Sequence, residues 1–342
     1  MVLESDAQQS EADRRAGLAR CCVCNSSHTF TPATLVTYQL ILVEYAEIRG
    51  STNMQRLYAN SSEQRESITR RRLVGEGQHP DKMQGHWVLA RAGKRVLRPG
   101  GLELTRRMLN ALAIGPEDRI VEFAPGLGLT ARMALRKHPL VYWGVEREPA
   151  AVEHLRRELA GTNANVVLGH AEESGLPSAC VNVVYGEAML SMQSQEQKSR
   201  IFAEAVRLLA AAGRYGIHEL CLTPDNISDR LRHEIQAAMS KEIHVGVQPL
   251  TAAEWVRLFE QNGLNVTWRS EAPMHLLEPV RVLRDEGFRG GLRIAFHLAT
   301  NPMLRQRVCA MRRLFRKYGD HLGAISLIGQ REFRPVESRG LL

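Results

Sequence analysis

Short apolar runs alternate with amphipathic stretches from about residue 102 onward. Ile120–Phe123, Pro139–Glu146 (PLVYWGVE), Asn165–His170 (NVVLGH), Val181–Glu187 (VNVVYGE) and Gly213–Leu220 (GRYGIHEL) are rich in Val, Ile and aromatic residues and too short for helices. Continuous apolar runs of that length predict strands buried on both faces, as in parallel sheets. Helical spacing lies between them: Leu104, Met108, Ala111 and Leu112 share one face, and Ile201–Leu209 forms a further helix. Thr251-Ala-Ala-Glu254 has the form of a capping box, in which each end satisfies the other's backbone N–H. The helix it opens carries Trp255, Leu258 and Phe259 inward and stops at Gly263. Leu264–Arg269 and Ala324–Gln330 (AISLIGQ) read as strands six and seven. The alternation predicts an α/β fold, one seven-stranded sheet with helices on both faces.

Three segments fall outside this rhythm. Residues 1–53 begin polar and mixed in charge and read as a largely disordered extension. Residues 54–101 read as a basic, mostly helical cover centred on Trp87 and broken by Arg98-Pro99-Gly100-Gly101. The main domain runs over 102–335, interrupted by an insertion at about 276–320. That insertion predicts helices near 278–300 and 303–318, the second with Leu304, Val308, Met311 and Phe315 at helical spacing. It reads as a cover over an acceptor, with a packing or dimer surface as the alternative.

The chemistry is concentrated where the first strand ends. Glu122-Phe123-Ala124-Pro125-Gly126-Leu127-Gly128 is a strand-to-helix turn. Gly126 and Gly128 admit a ligand close to the backbone, and the helix start offers free N–H groups. The second strand also ends in an acid, Glu146, 20 residues after Gly126, where a ribose acceptor belongs. Gly126-x-Gly128-x-x-Ala131 satisfies a dinucleotide fingerprint as well, so on these residues alone a nicotinamide enzyme fits. A carboxylate ahead of the turn, however, repels a pyrophosphate and attracts an ammonium group.

With Ala171-Glu172-Glu173-Ser174-Gly175-Leu176-Pro177 after strand three, the chain resembles the class I, Rossmann-like S-adenosylmethionine-dependent methyltransferases over roughly residues 98–270 and the last strand. The resemblance implies a seven-stranded methyltransferase sheet with a helical amino-terminal extension and a helical insertion before the last strand. It implies S-adenosyl-L-methionine as cofactor. Glu122, Phe123, Ala124, Pro125, Gly126 and Gly128 would hold the methionine part, and Glu146 the ribose. Arg147, Ala171 and Glu172 would flank the adenine, with Gly186 and Glu187 on the floor. His170 stands where the family often has Asp, with Glu172 as its substitute. On the acceptor side, His218 is the leading candidate for a general base, with Glu187, His244 and His275 as further catalytic candidates, because imidazoles titrate near neutral pH.

Composition narrows the acceptor. The chain has 342 residues, 44% hydrophobic and 24% charged, ordinary for a globular protein, and no apolar run long enough to span a membrane. Net charge is +8, but arginines are spread along helices rather than collected in a tract, which reads as solvated helix faces and makes nucleic acid an unfavoured partner. Strand four ends Tyr185-Gly186-Glu187-Ala188, without the Asn/Asp-Pro-Pro-aromatic motif of base-modifying amino methyltransferases. Cysteines are few; Cys21, Cys22, Cys24 and His28 read as a loose tail, so no metal is expected and a cytoplasmic, reducing location is. The expected function is methyl transfer to a small-molecule acceptor, a thiol-type or other small nucleophile, with the oligomeric state open and a homodimer among the options. The alternatives are an RNA methyltransferase and a non-catalytic cofactor-binding regulator.

Overall fold

The structure, a computed structural model, describes residues 82–331. The 1–53 extension, with its cysteine cluster, and the first part of the cover lie outside the described residues.

A central sheet has the order β3-β2-β1-β4-β5-β8-β7, with β6 paired to β5. Its strands are β1 (Arg119–Phe123), β2 (Val141–Glu146), β3 (Ala164–Leu168), β4 (Val181–Glu187), β5 (Leu209–Leu222), β6 (Leu250–Thr251), β7 (Leu264–Pro273) and β8 (Leu322–Arg331). Strands β1 to β5 are mutually parallel, and β8 runs antiparallel between β5 and β7. Strand order reverses between β1 and β4, so the chain leaves them toward opposite faces and a crevice opens at their carboxyl ends. Beyond the seven expected strands lies the two-residue β6. Strand β5 begins four residues earlier than its apolar run and follows helix α5 without a loop; Leu209 pairs with Val181 of β4, the register then shifts, and continuous pairing with β4 and β8 begins at about Arg214.

The helices are α1 (Gly85–Arg91), α2 (Gly101–Ala111), α3 (Leu129–Leu135), α4 (Pro149–Glu158), α5 (Gln195–Leu208), α6 (Asp229–Ile243), α7 (Ala252–Gln261), α8 (Pro279–Thr300) and α9 (Pro302–Lys317). The Thr251–Glu254 capping box is formed, and a second, Ser194–Gln197, opens α5. Successive residues of β1 and β4 point to opposite faces. Val121, Phe123 and Val184 join α5 and α7 in one core, where Trp255, Leu258 and Phe259 are buried. Ile120, Val183 and Tyr185 join α2, α3 and α4 in the other.

A third core seats the cover. Val88 and Leu89 of α1 pack with Ile235 and Met239 of α6, Leu304 and Met311 of α9, the carboxyl end of β5 and the amino end of β8. The insertion helices lie where periodicity placed them, and α8 kinks at Gly287, whose φ is 72°. Their position departs from the expected acceptor cover. They pack against each other and against α1 and α2, because the apolar face of α9 is matched by that of α1 and α6.

Candidate active site

A cavity of about 290 Å³ opens at the carboxyl ends of β1, β2 and β4. The turn after β1 forms one wall. Ala124, Gly126 and Gly128 all take positive φ, at 51°, 55° and 74°. Glycine tolerates that conformation, whereas an L-alanine is strained in it. A Cβ on Gly128 would also meet Leu155 Cδ2 at 2.9 Å, so this glycine lets α3 approach α4.

Two carboxylates border the cavity at neighbouring strand tips. Glu122 is buried, and its Oε2 accepts the hydroxyls of Tyr142 at 2.5 Å and Tyr185 at 2.8 Å. Its Oε1 accepts no bond from the described residues. Burial pushes this carboxyl up to about 7, against the two tyrosine hydrogen bonds and the Arg98 charge. Glu146 is held differently: Oε1 accepts the N–H groups of Arg147 and Glu148 at 2.9 and 3.1 Å, and Oε2 that of Gly126 at 3.1 Å. It therefore fixes the glycine turn. A carboxylate offers about four lone-pair sites, so one faces the cavity. Burial raises this carboxyl as well, opposed by those backbone hydrogen bonds.

The floor acid Glu187 joins a second network. Its Oε2 accepts from Arg98 Nη1 and from the Thr130 hydroxyl, and its Oε1 accepts the Thr105 hydroxyl at 2.6 Å. His218 Nδ1 lies 2.8 Å from Oε1, and His218 Nε2 lies 2.6 Å from the Pro99 carbonyl. Since a carbonyl only accepts, Nε2 carries the proton of the neutral ring. Burial and the Arg98 charge push the His218 imidazolium down to about 3.

Residues 92–100 thus form a strap. Arg98 and Pro99 fasten it to the floor through Glu187 and His218. On the other side, Glu286 of α8 accepts the N–H groups of Arg95 and Val96 at 2.7 and 2.8 Å, and Asp285 accepts that of Leu102 at 3.1 Å.

The structure brings Glu122, Ala124, Pro125, Gly126, Glu146, Arg147, Ala171, Glu172 and Glu187 to the cavity wall. Phe123, Gly128 and Gly186 stand behind it: Phe123 is core, Gly128 caps α3, and Gly186 packs on Phe123. The three histidines need correction as general bases. His218 is fully buried with both nitrogens engaged and does not border the cavity. His244 is the left-handed C-cap of α6, facing Arg307. His275 lies exposed beside Glu278 and Arg312, away from the crevice. A strand-end position puts a side chain near a crevice, but the pleat decides which side it faces.

Sequence reasoning missed Arg98, His86 and the amides Gln84, Gln193 and Gln197, all on the wall. His86 packs against Trp87 with centroids 4.5 Å apart and the rings tilted by 53°, and burial and Arg147 push it down to about 4, so it is neutral. Arg98 has no signal in the sequence, because its partner lies 89 residues away.

The fold is an open α/β sheet with a glycine turn and two acids at its switch point, and known proteins share it in part. Residues 120–213 match the methyltransferase domain family. An uncharacterized protein of Haemophilus influenzae is 28% identical over 240 residues, 69% of this chain and 92% of the relative. Among solved structures, a phosphoethanolamine N-methyltransferase of Haemonchus contortus, in complex with phosphomonomethylethanolamine and S-adenosylhomocysteine, is similar with a TM-score of 0.57 and 14% identity. The alignment covers 76% of this chain and 60% of that one, so this chain spans less than two thirds of that enzyme's length. The [4+2]-cyclase SpnF is similar with a TM-score of 0.54 and 14% identity, covering 74% of this chain and 97% of its own. Residues 120–213 thus match a methyltransferase domain, set in a Rossmann-like sheet shared with these structures.

Proposed function

We propose that this chain methylates a small molecule held between the strap and the floor Glu187–Gln193. The observation that carries this reading is the asymmetry of the cavity wall. One end presents Glu122 Oε1 and the guanidinium of Arg98, complementary to the ammonium and carboxylate of an amino acid. Glu146, at the tip of the neighbouring strand, is the acceptor this reading assigns to the ribose hydroxyls. The apolar part of the wall is Trp87, Leu97, Met192 and Val245, which pack on the third core, together with Met189; Gln84, Gln193 and Gln197 line the same cavity. Bound there, the donor supplies an electrophilic methyl on a cationic sulfur. The chain's own contribution is to hold the acceptor in line and exclude water. The soft, weakly polar wall suits a small thiol-type or similar nucleophile, with the amides orienting its polar groups.

Calorimetry with S-adenosylmethionine, S-adenosylhomocysteine and NAD tests the donor half. Binding of the first two and not the third is expected; NAD binding alone overturns the reading. A labelled methyl donor incubated with fractionated metabolites tests the acceptor half, with label expected in a low-molecular-weight product. Label appearing only in RNA would replace the small acceptor with a nucleic acid.

A further inference from the structure

The insertion Pro279–Lys317 holds ten basic residues and two acids, a formal +8 that equals the charge of the whole chain. Both acids, Asp285 and Glu286, are buried and turned to the strap. Every exposed charge on α8 is therefore an arginine. Arg284 and Arg289 are exposed and make no ion pair among the described residues.

The same helix leaves large apolar side chains in water. Val280 is 73% exposed, Leu283 49%, Phe288 61% and Phe296 62%. Beyond the Gly287 kink, Phe288, Leu292, Phe296 and Ala299 recur at helical spacing on one face, while Gly290, Ile294 and Leu298 turn inward. Arg289 and Arg293 flank the apolar stripe. Apolar side chains beside a row of cations are what an interfacial helix presents to a bilayer. No helix among the described residues is long and apolar enough to cross a membrane; α8 has the make-up of one that lies on it.

We propose that the outer face of α8 docks on an anionic lipid surface, Phe288 and Phe296 entering the acyl boundary and the arginines meeting the headgroups. Charge complementarity selects this occupant. Two copies of the face would set unpaired arginines against each other. Nucleic acid would satisfy the arginines but leave Val280 and Leu283 without a partner.

The test is co-sedimentation of the full chain at low salt with phosphatidylcholine vesicles, alone or mixed with phosphatidylglycerol. Pelleting is expected only with the anionic vesicles and falls as salt rises. The double variants Phe288→Ser/Phe296→Ser and Arg284→Glu/Arg289→Glu should each lower binding about tenfold or more. Their affinity for S-adenosylmethionine by calorimetry should stay normal, which shows folded protein and separates this proposal from the donor reading. Absence of pelleting with anionic vesicles overturns it. So does a serine variant that binds normally while charge reversal abolishes binding and RNA competes, which would assign the face to nucleic acid. A dimer in sedimentation that the serine variant dissolves would assign it to a second copy.

Discussion

The tips of β1 and β2 carry the same residue type in opposite circumstances. Glu122 is buried among phenols and holds its proton up to about neutrality; three backbone N–H groups hold Glu146. One acid is conformationally fixed but electrostatically poised. The other is the keystone of the turn that shapes the pocket. Strand-tip acids that look equivalent in sequence therefore fail in different ways when removed.

The largest effect should come from Glu146→Ala. It leaves the N–H groups of Gly126, Arg147 and Glu148 without their acceptor, at about 1–3 kcal/mol for each group that stays buried. Donor affinity should fall by about 100-fold or more, and the melting temperature should drop as well. A variant with normal stability and affinity would show that the turn holds itself.

Glu122→Gln should split those two readouts. Donor affinity should fall, because the proposed donor pose sets its ammonium against this carboxylate. Stability at pH 8 rises, since a carboxyl raised from 4.5 to about 7 contributes stability that is present below pH 4.5 and lost as pH rises through 7. The gain is about 2–3 kcal/mol at most, visible as a higher melting temperature at pH 8 and little change at pH 5. In the unaltered chain, donor affinity should weaken as pH falls below about 7, and this slope should vanish in Glu122→Gln. A slope that survives the substitution would move the titration to another group.

Gly128→Ala, at positive φ and against Leu155, should cost about 1–3 kcal/mol of stability by chemical denaturation. His218→Gln should have the smallest effect, about 1 kcal/mol, with a modestly weaker donor complex as Pro99 and Arg98 loosen. Normal donor affinity with turnover abolished would return His218 to the role of base.

Local pattern made the sheet, the capping box, the glycine turn and both strand-tip acids legible. Runs of Val and Ile between turns have few alternatives to buried strands, and Gly126-x-Gly128 after an apolar run admits few other turns. The periodicity of 279–317 likewise placed both insertion helices within a residue or two. The side-chain partnerships were not legible. Glu187 meets Arg98, Thr105, Thr130 and His218 across 31 to 89 residues of chain.

The sequence alone determined that a glycine turn flanked by two acids forms at the ends of the first two strands, because turn chemistry and strand burial are local properties. Tertiary structure decided which polar groups face that site. It withdrew His218 behind Glu187 and brought Arg98 and His86 in from the cover. It also turned both acids of α8 inward to hold the strap, which leaves arginines as the exposed charges of that helix.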